Sequence, residues 1–333
     1  MPKINLKTPH LSVQVDTDQG AEIVAVAGSD GRSVLYLGDW KAPLPARMSR
    51  TYGNETLDWL SEYRGGWQEL FPNGGGGGTV LGVPIPFHGE VSRAVWEWEW
   101  LQEGVSIRMS CPARLPLVLE RTMRLDPSRP VLYIEERVTN ESEFEVPYLW
   151  GHHPAYGPPV ADTGARIDLP AGKVVADAGL DTPYVDLVPG SEHTWPIAQN
   201  RAGERVDLSV IPTPAIQRLI YIADLFEPWY ALRNPSQKIG VGLAWEKATF
   251  PHMWLWQEIG GAGMPWYGRA RITALEPATQ WPSYGLAKAV ENGTAHLLAP
   301  GQVAETRLTC VVFEASEKAV TGIGLDGSIR LAK

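Results

Sequence analysis

Short runs that alternate apolar and polar residues recur along almost the whole chain, and this period of two limits what it can fold into. Leu11-Ser12-Val13-Gln14-Val15, Glu22-Ile23-Val24-Ala25-Val26 and Ser33-Val34-Leu35-Tyr36-Leu37 follow one another across Gly- and Asp-containing turns, as strands of an antiparallel meander do. Alternation is strongest in Trp96-Glu97-Trp98-Glu99-Trp100, where three indoles share one face, and it predicts a buried sheet face there. Two longer strands are expected over 117–125 and 131–139, joined through the turn formers Asp126-Pro127-Ser128-Arg129-Pro130. Further strands are expected over 166–169, 206–211, 217–223, 229–233, 241–245, 252–257, 271–276 and 303–313. Helical periodicity occurs only over 283–291, closed by Asn292-Gly293 in the manner of a helix C-cap. No low-complexity linker or internal repeat divides the chain, so residues 1–333 are expected to form a single all-β domain, a large antiparallel β-sandwich.

Between Gly38 and Pro86 the alternation fails, and Pro43, Pro45, Gly53, Gly65, Gly66, Pro72 and the run Gly74 to Gly78 break any regular sheet. Such a length without regular structure reads as a functional loop or excursion. The five glycines lack the Gly-Lys-Ser/Thr ending of a phosphate cradle and precede no helical pattern, which leaves a flexible turn.

Charge excludes several partners. The formal net charge of -9 argues against nucleic acid and anionic membrane, which require clustered Lys and Arg, and favours a small polar ligand. Cys111 and Cys310 are too few for a disulfide framework and read as core thiols. The start Met1-Pro2-Lys3-Ile4-Asn5 lacks the apolar run of a signal peptide, and no segment is long and apolar enough to span a bilayer. A cytoplasmic protein is expected.

The histidines are His10, His88, His152, His153, His193, His252 and His296, with no His-x-x-x-His or Cys-x-x-Cys spacing that would build a zinc site. Gly-x-Ser-x-Gly is also missing, so acid–base chemistry by His and carboxylate is the class left. Within Tyr148-Leu149-Trp150-Gly151-His152-His153-Pro154-Ala155-Tyr156, adjacent side chains on a strand point to opposite faces, and at most one of the two histidines faces a given pocket. Pro154 biases His153 to an extended backbone at a strand end. Fourteen tryptophans raise the expectation of carbohydrate, since indoles pack on the apolar faces of sugar rings. Trp67, Trp256, Trp266 and Trp281, in irregular or flanking segments, are the expected ligand contacts.

Three separated segments resemble the galactose mutarotase-like proteins, which include aldose 1-epimerases and hexose-6-phosphate mutarotases. Pro86-Phe87-His88-Gly89-Glu90 is similar to the family's first histidine followed by glycine; Gly151-His152-His153-Pro154 to its second histidine at a strand end; and Ile272-Thr273-Ala274-Leu275-Glu276-Pro277 to the strand of its catalytic glutamate. Arg64-Gly65-Gly66-Trp67-Gln68-Glu69-Leu70-Phe71-Pro72-Asn73 and Leu298-Ala299-Pro300-Gly301 extend the likeness over roughly the whole chain. The resemblance implies the family's β-sandwich and an isomerase that interconverts sugar anomers without a cofactor or metal. It implies Glu276 as base, His153 as acid and His88 as the group holding the ring oxygen, with Arg64, His152, Trp67, Gln257, Trp256 and Trp266 around the sugar.

Departures from the pattern matter too. No Asn-Arg pair precedes the first histidine, so Arg64 is the nearest substitute for the family's sugar-binding arginine, with Arg50 behind it. The family's sugar-binding aspartate is unmatched, and Asp224, Arg233 and Gln257 compete for its place. Arg47, Arg50 and Arg64 share the long loop and could face a phosphate. The sequence leaves open the sugar, the anomer and the oligomeric state. Competing readings are a non-catalytic carbohydrate-binding or sensing protein, and a glycosidase or lyase in which Glu90 or Glu258 partners Glu276.

Overall fold

A computed structural model describes residues 3–38, 53–213 and 215–333. Arg47 and Arg50 lie outside them. Strands take 49% of the chain and helices 6%, as the period-two pattern requires of an all-β fold. Two antiparallel sheets, one of twelve strands and one of eight, pack face to face. Alternate residues of both, among them Val13, Ile23, Leu119, Ile134, Leu275 and Leu308, fill a continuous apolar core.

Six strands in the middle of the twelve-stranded sheet carry the site. They are β1 (Glu22–Gly28), β2 (Trp67–Leu70), β3 (Gly151–Tyr156), β4 (Ile216–Ile222), β5 (His252–Ile259) and β6 (Arg271–Ala278). Their order across the sheet is β1-β2-β3-β6-β5-β4. β3 is therefore central, and its two faces have different surroundings: the inner one looks into the sandwich and the outer one away from it.

Several expectations are corrected. The segment 33–37 makes isolated bridges, Ser33 to Ala27, Leu35 to Tyr156 and Leu37 to Gly65, and is no strand. Trp96 is buried just ahead of the strand Glu97–Gln102, which forms the edge of the eight-stranded sheet; with one flank unpaired, it leaves Trp98 46% exposed. The supposed loop 38–86 holds β2 and a helix, α1 (Glu55–Glu62), whose N-cap Asn54 accepts a hydrogen bond from the Leu57 N–H at 3.0 Å. The glycine run is a packed turn and not a flexible one. Gly75 has φ +96°, and a Cβ there would strike the backbone of Ser283, while one on Gly76 would sit 3.0 Å from the Tyr284 carbonyl oxygen. Buried Asn73 clasps the run, donating to the carbonyls of Gly76 and Pro86 at 2.9 Å each. The expected late helix is present as α2 (Leu286–Glu291).

Candidate active site

Register decides which side chains meet. β3 pairs with β6 at Gly151–Ala278 and Ala155–Ala274, so midway along that ladder His153 stands opposite Glu276. On its other flank His153 pairs with Gln68 of β2, Gln68 lies one step from the Ile23–Trp67 pair and so beside Glu22 of β1, and Glu276 pairs with Trp254 of β5. One lateral row thus crosses the outer face: Glu22, Gln68, His153, Glu276, Trp254. Neighbouring strands lie about 4.8 Å apart, which sets the spacing of its members.

At the centre of the row His153 Nε2 lies 3.5 Å from Glu276 Oε1, and His153 Nδ1 lies 3.3 Å from the Tyr63 hydroxyl. Both members of the pair are dry, 3% and 2% exposed. Burial pushes Glu276 well above the usual carboxylate range and lowers His153 to about 4. Both shifts favour the uncharged forms, a carboxylic acid beside a neutral imidazole. Aromatic rings close over the pair. Trp59 of α1 lies 5.7 Å from the His153 ring, Tyr63 at the C-terminal cap of α1 lies 5.2 Å away and Trp256 5.5 Å away, centroid to centroid, and Trp266 packs against both Tyr63 and Trp256. Admitting a ligand to the pair requires these rings to part.

His88 comes to the same group from the loop after the glycine run, its ring centroid 5.9 Å from that of His153 and 4.7 Å from that of Trp59. Its backbone is left-handed, φ +60°, a conformation that non-glycine residues rarely adopt. The Gly75 N–H donates to His88 Nδ1 at 3.0 Å, and the His88 N–H returns a bond to the Gly75 carbonyl at 2.9 Å. Burial first, and then the neighbouring His153, hold His88 neutral, well below its ordinary pKa. With Nδ1 accepting, the ring proton belongs on Nε2, so His88 can offer one N–H donor.

The inner face of β3 has a different composition. His152 Nδ1 lies 3.1 Å from Trp67 Nε1, and His152 Nε2 lies 3.0 Å from Glu136 Oε2, near enough for an ion pair although not aligned as a hydrogen bond. Arg121 donates to Glu136 at 2.6 Å and to Glu69, and Trp150 also donates to Glu69. Glu69, Glu136 and His152 converge as metal ligands would, but the Arg121 guanidinium already stands between the two carboxylates as the cation. Against the desolvation that opposes it, His152 and Arg121 hold Glu136 ionised, and the two glutamates raise His152.

This sorts the expected sugar contacts. His153, Glu276, His88, Trp256 and Trp266 come together on the outer face. His152 and Trp67 point into the sandwich, the opposite side of the sheet from Glu276. Gln257 does the same, accepting from Arg218 Nη1 at 3.2 Å and lying 3.5 Å from Thr273 Oγ1; a period of two puts it out of phase with Trp256. Arg64 donates to the Gly38 carbonyl at 2.8 Å, beside Glu22 at the far end of the row. Of the other candidates, Arg233 pairs with Asp168 in the second sheet. Trp281 packs against Tyr221 and His252, with ring centroids 5.9 and 6.5 Å apart. Sequence reasoning missed Tyr63, Trp59, Gln68 and Glu22. Asn54 with acidic Glu55 and Asp58 behind it was a readable helix start that would have found the first two.

The two packed antiparallel sheets match the galactose mutarotase-like all-β fold. Among solved structures, the chain is similar to a protein from Klebsiella pneumoniae provisionally named an aldose 1-epimerase, with TM-score 0.67 and 16% identity, covering 92% of this chain and 77% of that one. A protein of the same provisional name from Escherichia coli gives TM-score 0.66 and 14% identity over 94% and 99%. A galactose mutarotase-like protein from Lactobacillus casei gives 0.62 and 16% over 93% and 100%. At these identities the likeness is one of fold. A family described as a domain of unknown function, DUF4432, matches residues 223–312. No curated protein matches the chain.

Proposed function

We propose that the protein is an aldose 1-epimerase-like mutarotase, interconverting sugar anomers by acid–base ring opening and closure. The observation that carries this reading is the His153–Glu276 pair, two ionisable groups 3.5 Å apart in a dry aromatic site. Anomer exchange needs that much and no more: a base takes the proton of the C1 hydroxyl, an acid protonates the ring oxygen, and the C1–O5 bond breaks to give the open aldehyde. Rotation about C1–C2 and the reverse transfers close the ring on either face. In the roles assigned by resemblance Glu276 is the base and His153 the acid. This requires the proton to move from carboxyl to imidazole once sugar hydroxyls replace the aromatic rings around the pair. His88, neutral with its N–H on Nε2, suits the holding of the ring oxygen.

A glycosidase reading has less support, because its two carboxyls should stand about 5–10 Å apart. Glu258 shares the outer face, yet it sits four residues along β5 from Trp254, the partner of Glu276, or about 14 Å away by strand geometry. Glu90 is occupied elsewhere, accepting from the Arg114 N–H.

Magnetisation-transfer NMR across a panel of aldoses and their 6-phosphates tests the proposal. Wild type should accelerate anomer exchange on at least one sugar, and Glu276→Gln and His153→Ala should each lose about 10²–10⁴-fold. Exchange that never exceeds the uncatalysed rate would sink it and leave a carbohydrate-binding role.

A further inference from the structure

The end of the outer-face row away from Trp254 holds an unfilled hydrogen-bonding position. Gln68 is 4% exposed, and among the described residues one end of its amide has a partner: Nε2 lies 3.5 Å from Glu22 Oε1, while Oε1 makes no hydrogen bond to them. Turning the amide over changes which atom is open, not that one of them is. Buried amide groups are seldom left so. Beside them Arg64 Nε is likewise buried and without a hydrogen bond, close enough to Glu22 for its charge to act on that carboxylate.

The open end belongs to the site around His153. Gln68 pairs with His153 across the β2–β3 ladder, and the amide's bonded end is turned the other way, toward β1. The two ends of a planar amide diverge, so the open one is directed away from Glu22. A hydroxyl both donates and accepts, so it satisfies either setting of the amide; an ionised phosphate only accepts and serves only the setting that leaves the NH2 open.

We infer that Gln68 is a specificity-determining residue, taking one ring hydroxyl of a neutral monosaccharide whose C1 end lies between His153 and Glu276. Gln68 stands one strand from His153 and two from Glu276, about 5 and 10 Å, so the hydroxyl it takes is one remote from C1. The placement of C1 rests on the mutarotase reading; the hydroxyl contact does not.

The test crosses Gln68→Leu and, in case that variant fails to fold, Gln68→Met with glucose, galactose and their monodeoxy derivatives. Binding by saturation-transfer NMR is measured beside anomer exchange. The expected result is a loss of about tenfold in kcat/KM on the parent sugar, the effect of one hydrogen bond, and no loss on the single deoxy derivative that lacks the partner hydroxyl. An equal loss on every derivative would reveal a merely structural role and overturn the inference, as would no loss at all. If wild type binds sugars without exchanging them, the mutarotase reading falls alone, and the same deoxy-selective pattern read in affinities upholds or overturns the contact. Binding of no sugar overturns both.

Discussion

Adjacent residues of one strand, His152 and His153, look out of opposite faces of the same sheet, and the two faces treat buried charge in opposite ways. On the inner face the charges are paired, Arg121 bridging Glu69 and Glu136 and His152 held between the same carboxylates, although burial and then Glu136 still raise Glu69 to about 7. The outer face buries polar groups with few partners. His153 has Tyr63 and Glu276, Gln68 has one contact, and Glu22 is carried up to about 8, mainly by desolvation. A dense network fixes structure, since removing any member strands another. Sparse pairing leaves proton affinities displaced and hydrogen-bonding capacity open, which is the condition in which side chains can exchange protons with a ligand.

If that contrast is right, the largest effect follows from cutting the inner network. Arg121→Ala would leave His152 to face both Glu69 and Glu136 without the guanidinium that bridges them, and a loss of about 3–5 kcal/mol is expected in urea unfolding. A loss below about 1 kcal/mol would mean that the network relaxes freely and that the two faces differ less than their geometry suggests.

Removing a charge from the outer face should have the opposite sign. The Glu22 carboxyl titrates near 4.5 unfolded and about 8 folded, so the folded chain binds its proton more tightly. Stability from that proton is complete below pH 4.5 and is lost as the pH rises to about 8. Glu22→Gln never ionises and loses none of it. Relative to wild type the variant should gain little at pH 4 and up to a few kcal/mol at pH 9, because each tenfold difference in proton affinity between the folded and unfolded chain is worth about 1.4 kcal/mol. A gain independent of pH would contradict the burial of the charge.

How far the sequence could be read depended on whether the signal was local. Period-two alternation and the Pro154 break are local features; repeated along the chain, the first pointed to the sandwich, and together they put His152 and His153 on opposite faces without settling which one faces the pocket. The row is not local. Gln68 reaches His153 only because Trp67–Leu70 enters the sheet between Glu22–Gly28 and Gly151–Tyr156, and the surrounding glycines and prolines make that four-residue strand look like loop. Gln257 shows the converse: its position beside Trp256 suggests a shared pocket, while the pleat turns it inward. The glycine run misleads for a related reason, because nothing near it in sequence shows that Ser283 and Tyr284 fill the space a side chain would need.

A final contrast changes no residue at all. Ring-carbon and ring-proton NMR of the wild-type protein can follow His152 and His153 together from pH 8 to pH 4, each assigned by its single substitution. Burial lowers His153 to about 4, so it should stay neutral through the pH 6.5 at which an ordinary histidine is half protonated, adding stability above pH 6.5 that is lost as the pH falls toward 4. His152, raised by Glu69 and Glu136 despite its burial, should keep its proton above pH 6.5, so that its contribution is complete in acid and lost as the pH rises. Two neighbouring imidazoles would then hold opposite charge states over a common pH range. If both titrate together near 6.5, the outer site is wet, and the neutral imidazole placed beside Glu276 has no basis.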